Sequence, residues 1–324
     1  MVSINLLISV VIIIILFLAP YFYNRLALKK DTEITIPSEG HYASLTRGNL
    51  FYRWYEPDIK SSEIVILVHG FSTPSFVWDD VKEFLVNSGY RVLVYDHYGR
   101  GYSSRPKVNY DQDLYTSTLK ELIDFVGIKS KVHLVGYSMG GPIIGYFSKK
   151  YPELVKSNHF IAPAGLMRVG QSSITSLLFK LMTLPIIGDY LSTSFPSLLY
   201  GGNAKPELST KDDPITVDQQ KIHRLLEEQM KYEGFTRSLL STAKNFNLVD
   251  TRTMYSNLSQ LNIPSSVIWG TNDEICSYDG MQEMKEIFSN IEVTAVDKGM
   301  HDITLAQPTV VGSHLRKCLD KFCR

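Results

Sequence analysis

An apolar run, Val132-His133-Leu134-Val135-Gly136-Tyr137, leads straight into Ser138-Met139-Gly140-Gly141, and this passage constrains the fold more than any other. A strand followed by Gly-x-Ser-x-Gly is the signature of a nucleophile elbow, a strained strand-to-helix turn that lifts a serine oxygen clear of the backbone. Side chains two residues before and after the serine would strike neighbouring chain, which is why Gly136 and Gly140 carry none. Residues 142–150 suit a helix with Pro142 in its tolerated first turn. The N-terminus of that helix would aim at the serine and favour negative charge developing there. Composition alone places the pentapeptide in roughly one chain in ten of this size, so the reading needs partners for Ser138.

Those partners occur downstream in the order serine, acid, histidine. Asp273 follows Ser265-Ser266-Val267-Ile268-Trp269-Gly270, a buried-strand pattern ending in a turn. A carboxylate just past a strand's C-terminal end lies on the edge where open α/β sheets keep their ligand sites. His301 follows another strand-like run, 291–296, and precedes a C-terminal helix. Ser138 needs a base to become nucleophilic. His301 would take its proton, and Asp273 would fix the imidazole tautomer and stabilise the imidazolium. Glu274 and Asp302 are the rival acids. Asp302 adjoins His301 in the chain, which aims its side chain elsewhere.

Two further landmarks sit upstream. Residues 64–68 form a fully apolar strand that ends in His69-Gly70-Phe71. Val92-Leu93-Val94-Tyr95 leads into Asp96-His97-Tyr98-Gly99-Arg100-Gly101-Tyr102-Ser103. Gly99-x-Gly101 reads as a tight turn. A nucleotide-binding loop would need a third glycine and an opening helix. With these four landmarks the chain resembles the α/β-hydrolase family over roughly residues 45–323. Within that family it is most similar to membrane-anchored monoacylglycerol lipases of the ABHD6 type and to hydrolases that cleave carbon–carbon bonds in ring-cleavage products. The resemblance implies an oxyanion hole formed by the backbone N–H groups of Phe71 and Met139. It makes His69 structural and leaves Asp96 and Ser103 to brace their loop.

Between residues 50 and 161 strand-like runs alternate with helical stretches (77–87, 113–126 and 142–150), which argues for a mostly parallel sheet with helices on both faces. The alternation stops near Leu166, and no buried strand is evident until residue 265. The expected plan is a core of residues 46–165 and 258–324 interrupted by a helical lid, 166–257. The lid's first part is strongly apolar, and Leu177, Leu178 and Met182 are candidate walls of an acyl pocket, with Cys276 beside Asp273 as a fourth lining residue. Its second part, 217–231, alternates in charge and is expected to face water. The 324 residues carry no formal net charge, and no basic stripe points to nucleic acid. The three cysteines lack metal-ligand spacing. Neither a metal, a cofactor nor an obligate protein partner is expected.

The first 24 residues read as a transmembrane anchor and residues 25–45 as a linker. The 22 residues from Val2 to Tyr23 carry no charge and as a helix would span ~33 Å, enough for the hydrocarbon core. The thirteen Ile, Leu, Val and Phe residues between Ile4 and Leu18 favour insertion by about 4 to 8 kcal/mol, as an upper bound. A cleaved signal peptide would need a positive start and an Ala-x-Ala-like site. Arg25, Lys29 and Lys30 on the C-terminal flank predict a cytoplasmic catalytic domain. The resulting expectation is a single-pass membrane serine hydrolase acting on carboxylic esters, most simply a monoacylglycerol. The alternatives are carbon–carbon bond hydrolysis, with Arg168 or Arg252 holding a substrate carboxylate, and a hydrolase fold reused for binding.

Overall fold

The computed structural model describes residues 4–58, 63–167, 184–194 and 219–323. Helix α1, Ile4–Ala27, comes first. The sheet strands are β1 (His41–Leu45), β2 (Gly48–Tyr55), β3 (Ile64–Val68), β4 (Arg91–Tyr95), β5 (Val132–Tyr137), β6 (Val155–Ile161), β7 (Ser265–Gly270) and β8 (Glu292–Val296). They are ordered β1-β2-β4-β3-β5-β6-β7-β8. Only the pairings β1–β2 and β2–β4 are antiparallel. The parallel central strands β3 and β5 are buried along their whole length, which is why they read as unbroken apolar runs rather than as alternations.

The intervening helices are α2 (Asp79–Asn87), α3 (Gln112–Phe125) and α4 (Gly140–Lys150). Between β6 and β7 come α5 (Pro185–Ser194), α6 (Gln219–Met230), α7 (Phe235–Asn245) and α8 (Arg252–Ser259). The chain closes with α9 (Asp279–Ile287), α10 (Ile303–Ala306) and α11 (Pro308–Phe322). Helices α2 and α11 pack together, while α3, α4 and α8 form a second contiguous row. Helix α3 is capped by Asp111, whose carboxylate accepts from the Leu114 N–H. That bond satisfies one orphan donor of the first turn and is typically worth about 1 kcal/mol.

Three boundaries differ from those read in the sequence. Residues 25–45 are not a free linker. They begin inside α1 and end in β1, and between these Lys29 forms a backbone bridge with Tyr232 and Asp31 accepts from the Arg105 N–H. The expected lid boundary at residue 257 falls inside α8. This helix packs against α4, with Met254, Tyr255 and Leu258 buried, so it belongs to the outer layer of the core. In the segment expected to face water, 217–231, Arg224, Glu227 and Lys231 are exposed, while Gln229 of α6 is buried.

A buried polar seam crosses the sheet. His133 Nδ1 meets Ser157 Oγ at 2.6 Å, Ser157 Oγ meets His159 Nε2 at 2.7 Å, and His159 Nδ1 meets Ser266 Oγ at 2.8 Å. His314 then joins Ser266 Oγ at 3.1 Å and Thr294 Oγ1 at 2.9 Å. Every member finds a partner, as burial demands. Burial lowers His133 and His314 to about 4 and His97 to about 3, and holds His69 and His159 well below their ordinary value of 6.5. As pH falls below 6.5 the unfolded chain takes up protons that the folded chain refuses, so stability present above 6.5 is lost on the way to pH 4. Asp96, raised by burial, and Asp302, raised by burial to about 6, oppose this. The histidines outnumber the carboxyls, so the folded chain binds fewer protons than the unfolded chain in this window and stability falls with pH, in a fold whose total stability is only ~5–15 kcal/mol. The melting temperature in detergent should be nearly flat above pH 7 and fall steeply between 6.5 and 4.5. A flat profile through that window would contradict the neutral, buried state of the seam.

Candidate active site

Ser138 stands between β5 and α4 with a left-handed backbone, φ 54°. A Cβ added to Gly136 would come within 2.4 Å of the Gly140 carbonyl oxygen, and one added to Gly140 within 2.1 Å of the Val68 carbonyl oxygen. Both distances are far below contact, so the glycines of the pentapeptide are required sterically. Three main-chain bonds fix the turn: Ser138 N–H to Ile161 O, and the Gly141 and Ala164 N–H groups to Ser138 O.

Two loops at the same sheet edge bring up the partners. The β7 and β8 loops are laced together: Asn272 N–H donates to Gly299 O and Lys298 N–H to Thr271 Oγ1. His301 Nε2 lies 3.0 Å from Ser138 Oγ and Nδ1 lies 2.8 Å from Asp273 Oδ2. An ionised carboxylate only accepts, so Nδ1 carries the imidazole proton and Nε2 is left to accept from the serine. Asp273 is buried, and its second oxygen accepts from the Ile275 and Cys276 N–H groups, each at 2.9 Å. The Tyr137 hydroxyl donates to His301 O at 3.0 Å and pins the histidine loop. This geometry can deprotonate a serine and hold the positive imidazolium that results.

The remaining candidates fall in different places. Met139 is buried at the start of α4, and Gly70 lies against Ser138, since a Cβ there would be 3.2 Å from the serine's own. Among the described residues neither the Met139 nor the Phe71 N–H donates a hydrogen bond. Glu274 is exposed, and no bond joins Asp302 to His301. Both Asp302 carboxylate oxygens are buried without a partner among the described residues. Cys276 is 1% exposed, packed under Asp273 and Ser138 rather than on an open wall. Burial and the Asp273 charge push its thiol well above the ordinary range, partly offset by the Ser138 hydroxyl, which makes it inert as a nucleophile. Leu177, Leu178 and Met182 lie outside the described residues, as does Arg168. Arg252 is engaged by Glu283 at 2.6 and 3.0 Å and by Asp250 at 3.2 Å, so it is not available to a substrate carboxylate.

His69 is structural. Its Nε2 accepts from the His97 N–H at 2.9 Å, and His97 Nε2 donates to His69 O at 3.1 Å. Asp96 accepts from the Ser75 and Tyr102 N–H groups, and Ser103 Oγ donates to Asp96 O, so the two brace their loop. The one group of potential metal ligands among the described residues is Glu63, His133 and Cys323. It sits at the opposite end of β5 from Ser138, with Glu63 already paired to Lys156 at 2.7 Å.

Sequence reasoning missed two residues that hold the Phe71 loop. Arg100 is fully buried. It donates from Nε to Phe71 O at 2.8 Å, from Nη1 to Ser238 Oγ at 3.1 Å and from Nη2 to Thr242 Oγ1 at 2.9 Å. Gln229 accepts from the Gly101 N–H at 2.8 Å and donates to Ser72 O at 3.5 Å. Both link helices α6 and α7 to the loops over Ser138. A charged residue between the two glycines of a tight turn was the only signal for Arg100, and Gln229 had none.

The alpha/beta hydrolase fold profile matches residues 63–307. The Xenopus laevis protein "Monoacylglycerol lipase abhd6-B" is 25% identical over 293 residues, covering 89% of this chain and 82% of its own. Among solved structures, a thermophilic esterase from Thermogutta terrifontis superposes with a TM-score of 0.71 at 21% identity, over 88% of this chain and 99% of its own. A bacterial membrane phospholipase A superposes with a TM-score of 0.67 at 19% identity, over 99% of this chain and 97% of its own.

The two acidic residues at the end of β7 can be separated by experiment. Asp273→Asn should leave the fold intact but favour the wrong imidazole tautomer, slowing fluorophosphonate labelling of Ser138 by ~10³–10⁴-fold. Glu274→Gln, on the surface, should label at the wild-type rate. The reverse result would move the acid to Glu274.

Proposed function

This chain belongs to the alpha/beta hydrolase family, and from that membership we propose that it is a membrane-anchored serine hydrolase that cleaves carboxylic esters of single-chain lipids, monoacylglycerols foremost. The observation that carries the reading is the continuous hydrogen-bonded path from Ser138 Oγ through His301 to the buried Asp273, beside two unoccupied backbone donors. Ser138 Oγ attacks the ester carbonyl as its proton passes to His301 Nε2. The Phe71 and Met139 N–H groups receive the oxyanion, each worth ~2.7–4 kcal/mol. The carbon–oxygen bond to the alcohol then breaks, and His301 returns the proton to that oxygen. Water, deprotonated by His301, attacks the acyl-serine and releases the fatty acid and Ser138.

The substrate class is supported by the monoacylglycerol lipases among the relatives and by α1, which is long and apolar enough to cross a membrane. An anchor keeps the serine beside its lipid. The basic flank of Arg25, Lys29 and Lys30 favours a cytoplasmic catalytic domain. Of the two arginines considered for carbon–carbon hydrolysis, Arg252 is occupied by acids and Arg168 lies outside the described residues.

Ser138→Ala should lower ester turnover by ~10³-fold or more and abolish fluorophosphonate labelling. Residual labelling at the wild-type rate would point to another nucleophile. With monoacylglycerols of rising chain length, each buried methylene adds up to about 0.8 kcal/mol. The specificity constant kcat/KM should therefore rise up to about fourfold per methylene until the pocket ends. A flat profile, combined with fast turnover of a ring-cleavage dienoate, would replace the lipid-ester reading with the carbon–carbon one.

A further inference from the structure

Helix α1 does not stand apart from the catalytic domain. Its last turns dock on α5 through polar contacts. The Tyr21 hydroxyl donates to Asp189 at 2.7 Å, Arg25 lies 3.8 Å from the same carboxylate, and Asn24 Nδ2 donates to Thr193 O and Ser194 O at 2.9 and 3.2 Å. Phe17 and Tyr190 stack at 4.5 Å. Between α1, α5 and α7 this docking leaves a groove of about 650 Å³, within the ~300–1,000 Å³ range of sites that enclose one ligand. No step of the ester chemistry uses it.

The walls of the groove differ in chemistry. Leu18 and Phe22 from α1, with Leu184 and Ile186 from the start of α5, make one side apolar. Leu184 is 44% and Ile186 85% exposed, so the helix pair leaves this surface uncovered. The other side is a face of α7, where Arg237, Ser241 and Lys244 recur at helical spacing. The Arg237 guanidinium is held by Arg105 O at 2.8 Å and Pro106 O at 2.9 Å. Among the described residues neither Arg237 nor Lys244 meets a carboxylate. The acid that lines the groove, Asp189, is engaged by Tyr21 and Arg25. The groove is therefore net positive on the protein side and apolar on the side of α1, at the level where the uncharged segment ends and headgroups begin.

We propose that this groove is a binding site for one acidic glycerophospholipid, its phosphate on Arg237 and Lys244 and one acyl chain along Leu18, Phe22, Leu184 and Ile186. The Ser241 hydroxyl and the Asn245 amide are spent on Val108 O and on Ser241, which leaves the Lys244 ammonium, the remaining Arg237 N–H groups and the Asn109 amide facing the groove. Two cations about two helical turns apart suit a phosphodiester with a hydroxylated headgroup better than a compact fatty-acid carboxylate. The outer face of α1 is open to lipid, so the second chain can remain in the bilayer. The site depends on α1 lying in the membrane and is independent of the reaction at Ser138. A lipid seated there would join the anchor to α7, the helix whose Ser238 and Thr242 hold Arg100.

The test uses the full chain in nanodiscs of phosphatidylcholine, alone or mixed with phosphatidylglycerol, followed by native mass spectrometry. One phosphatidylglycerol should be retained per chain, and phosphatidylcholine should not. Lys244→Glu should lower that retention ~10-fold or more, as loss of a charge-assisted contact implies, with Ser138 still labelled by a fluorophosphonate at the wild-type rate. Lys30→Glu, on the basic flank but outside the groove, should change retention less than Lys244→Glu. Equal retention by Lys244→Glu, equal retention of phosphatidylcholine, or a free fatty acid held in place of the phospholipid would each overturn the site. Incorporation into phosphatidylcholine nanodiscs reports on the anchor separately. A chain that does not incorporate would overturn the anchor and the groove together.

Discussion

The left-handed backbone at Ser138 is the constraint on which the rest of the arrangement depends. An L-residue in that conformation costs about 1–3 kcal/mol, and the surrounding strands must hold it there. The turn is tied to β6 and the residues after it by bonds to Ile161 and Ala164. It is pressed against β3 so closely that Gly140 lies on the Val68 carbonyl. It can exist only where β3, β5 and β6 run parallel and adjacent, with their C-terminal ends at one edge. The same edge presents the loops after β3, β7 and β8. The order of the strands thus gathers Gly70, Asp273 and His301 around a serine more than a hundred residues away from the acid.

A second dependence runs from the segment between β6 and β7 back to the Phe71 loop. Arg100 is a fully buried cation with three oxygen acceptors and no acid partner among the described residues. Removing one side of such a set strands the others, each at about 1–3 kcal/mol. Two of its acceptors belong to α7 and the third to Phe71, so the helices that cover the site also fix one of the two candidate oxyanion donors. Any displacement of α7 must break its bonds to Arg100, which also holds the Phe71 carbonyl.

The core of this fold was legible because its signals are local and steric. Strand β5 followed by Gly-x-Ser-x-Gly, strand β3 followed by His-Gly-Phe, and the downstream Asp273 and His301 each carry their reason within a few residues. The boundary errors came from tertiary contacts that leave no local trace. Helix α8 looked like lid because its sequence is amphipathic and short, and only its packing on α4 makes it core. Gln229 sits in a charged, water-loving stretch, yet bridges Gly101 and Ser72. Residues 25–45 are polar and Pro-containing like any linker, and their docking depends on Tyr232, about two hundred residues away in sequence from Lys29, and on Arg105, 74 residues away from Asp31. The buried histidine seam was equally hidden, because histidine alternating with apolar residues on a strand reads the same whether it is solvated or hydrogen-bonded.

These docking contacts change what the N-terminal helix can be. A tether alone would leave the catalytic domain free to tumble relative to the helix. Here the Asn24 amide satisfies carbonyls at the end of α5, where helices leave acceptors unpaired, and Tyr21 and Arg25 share Asp189. A backbone bridge at Lys29 and the Asp31 contact follow within a few residues. Each bond alone is worth about 1 kcal/mol, but each later one closes a very short loop, and the entropy cost of closing a loop is smaller the shorter the loop. Together they orient α5 and the turn between α6 and α7 relative to α1. The helix therefore fixes the orientation of these elements relative to itself instead of hanging from them as a free tether.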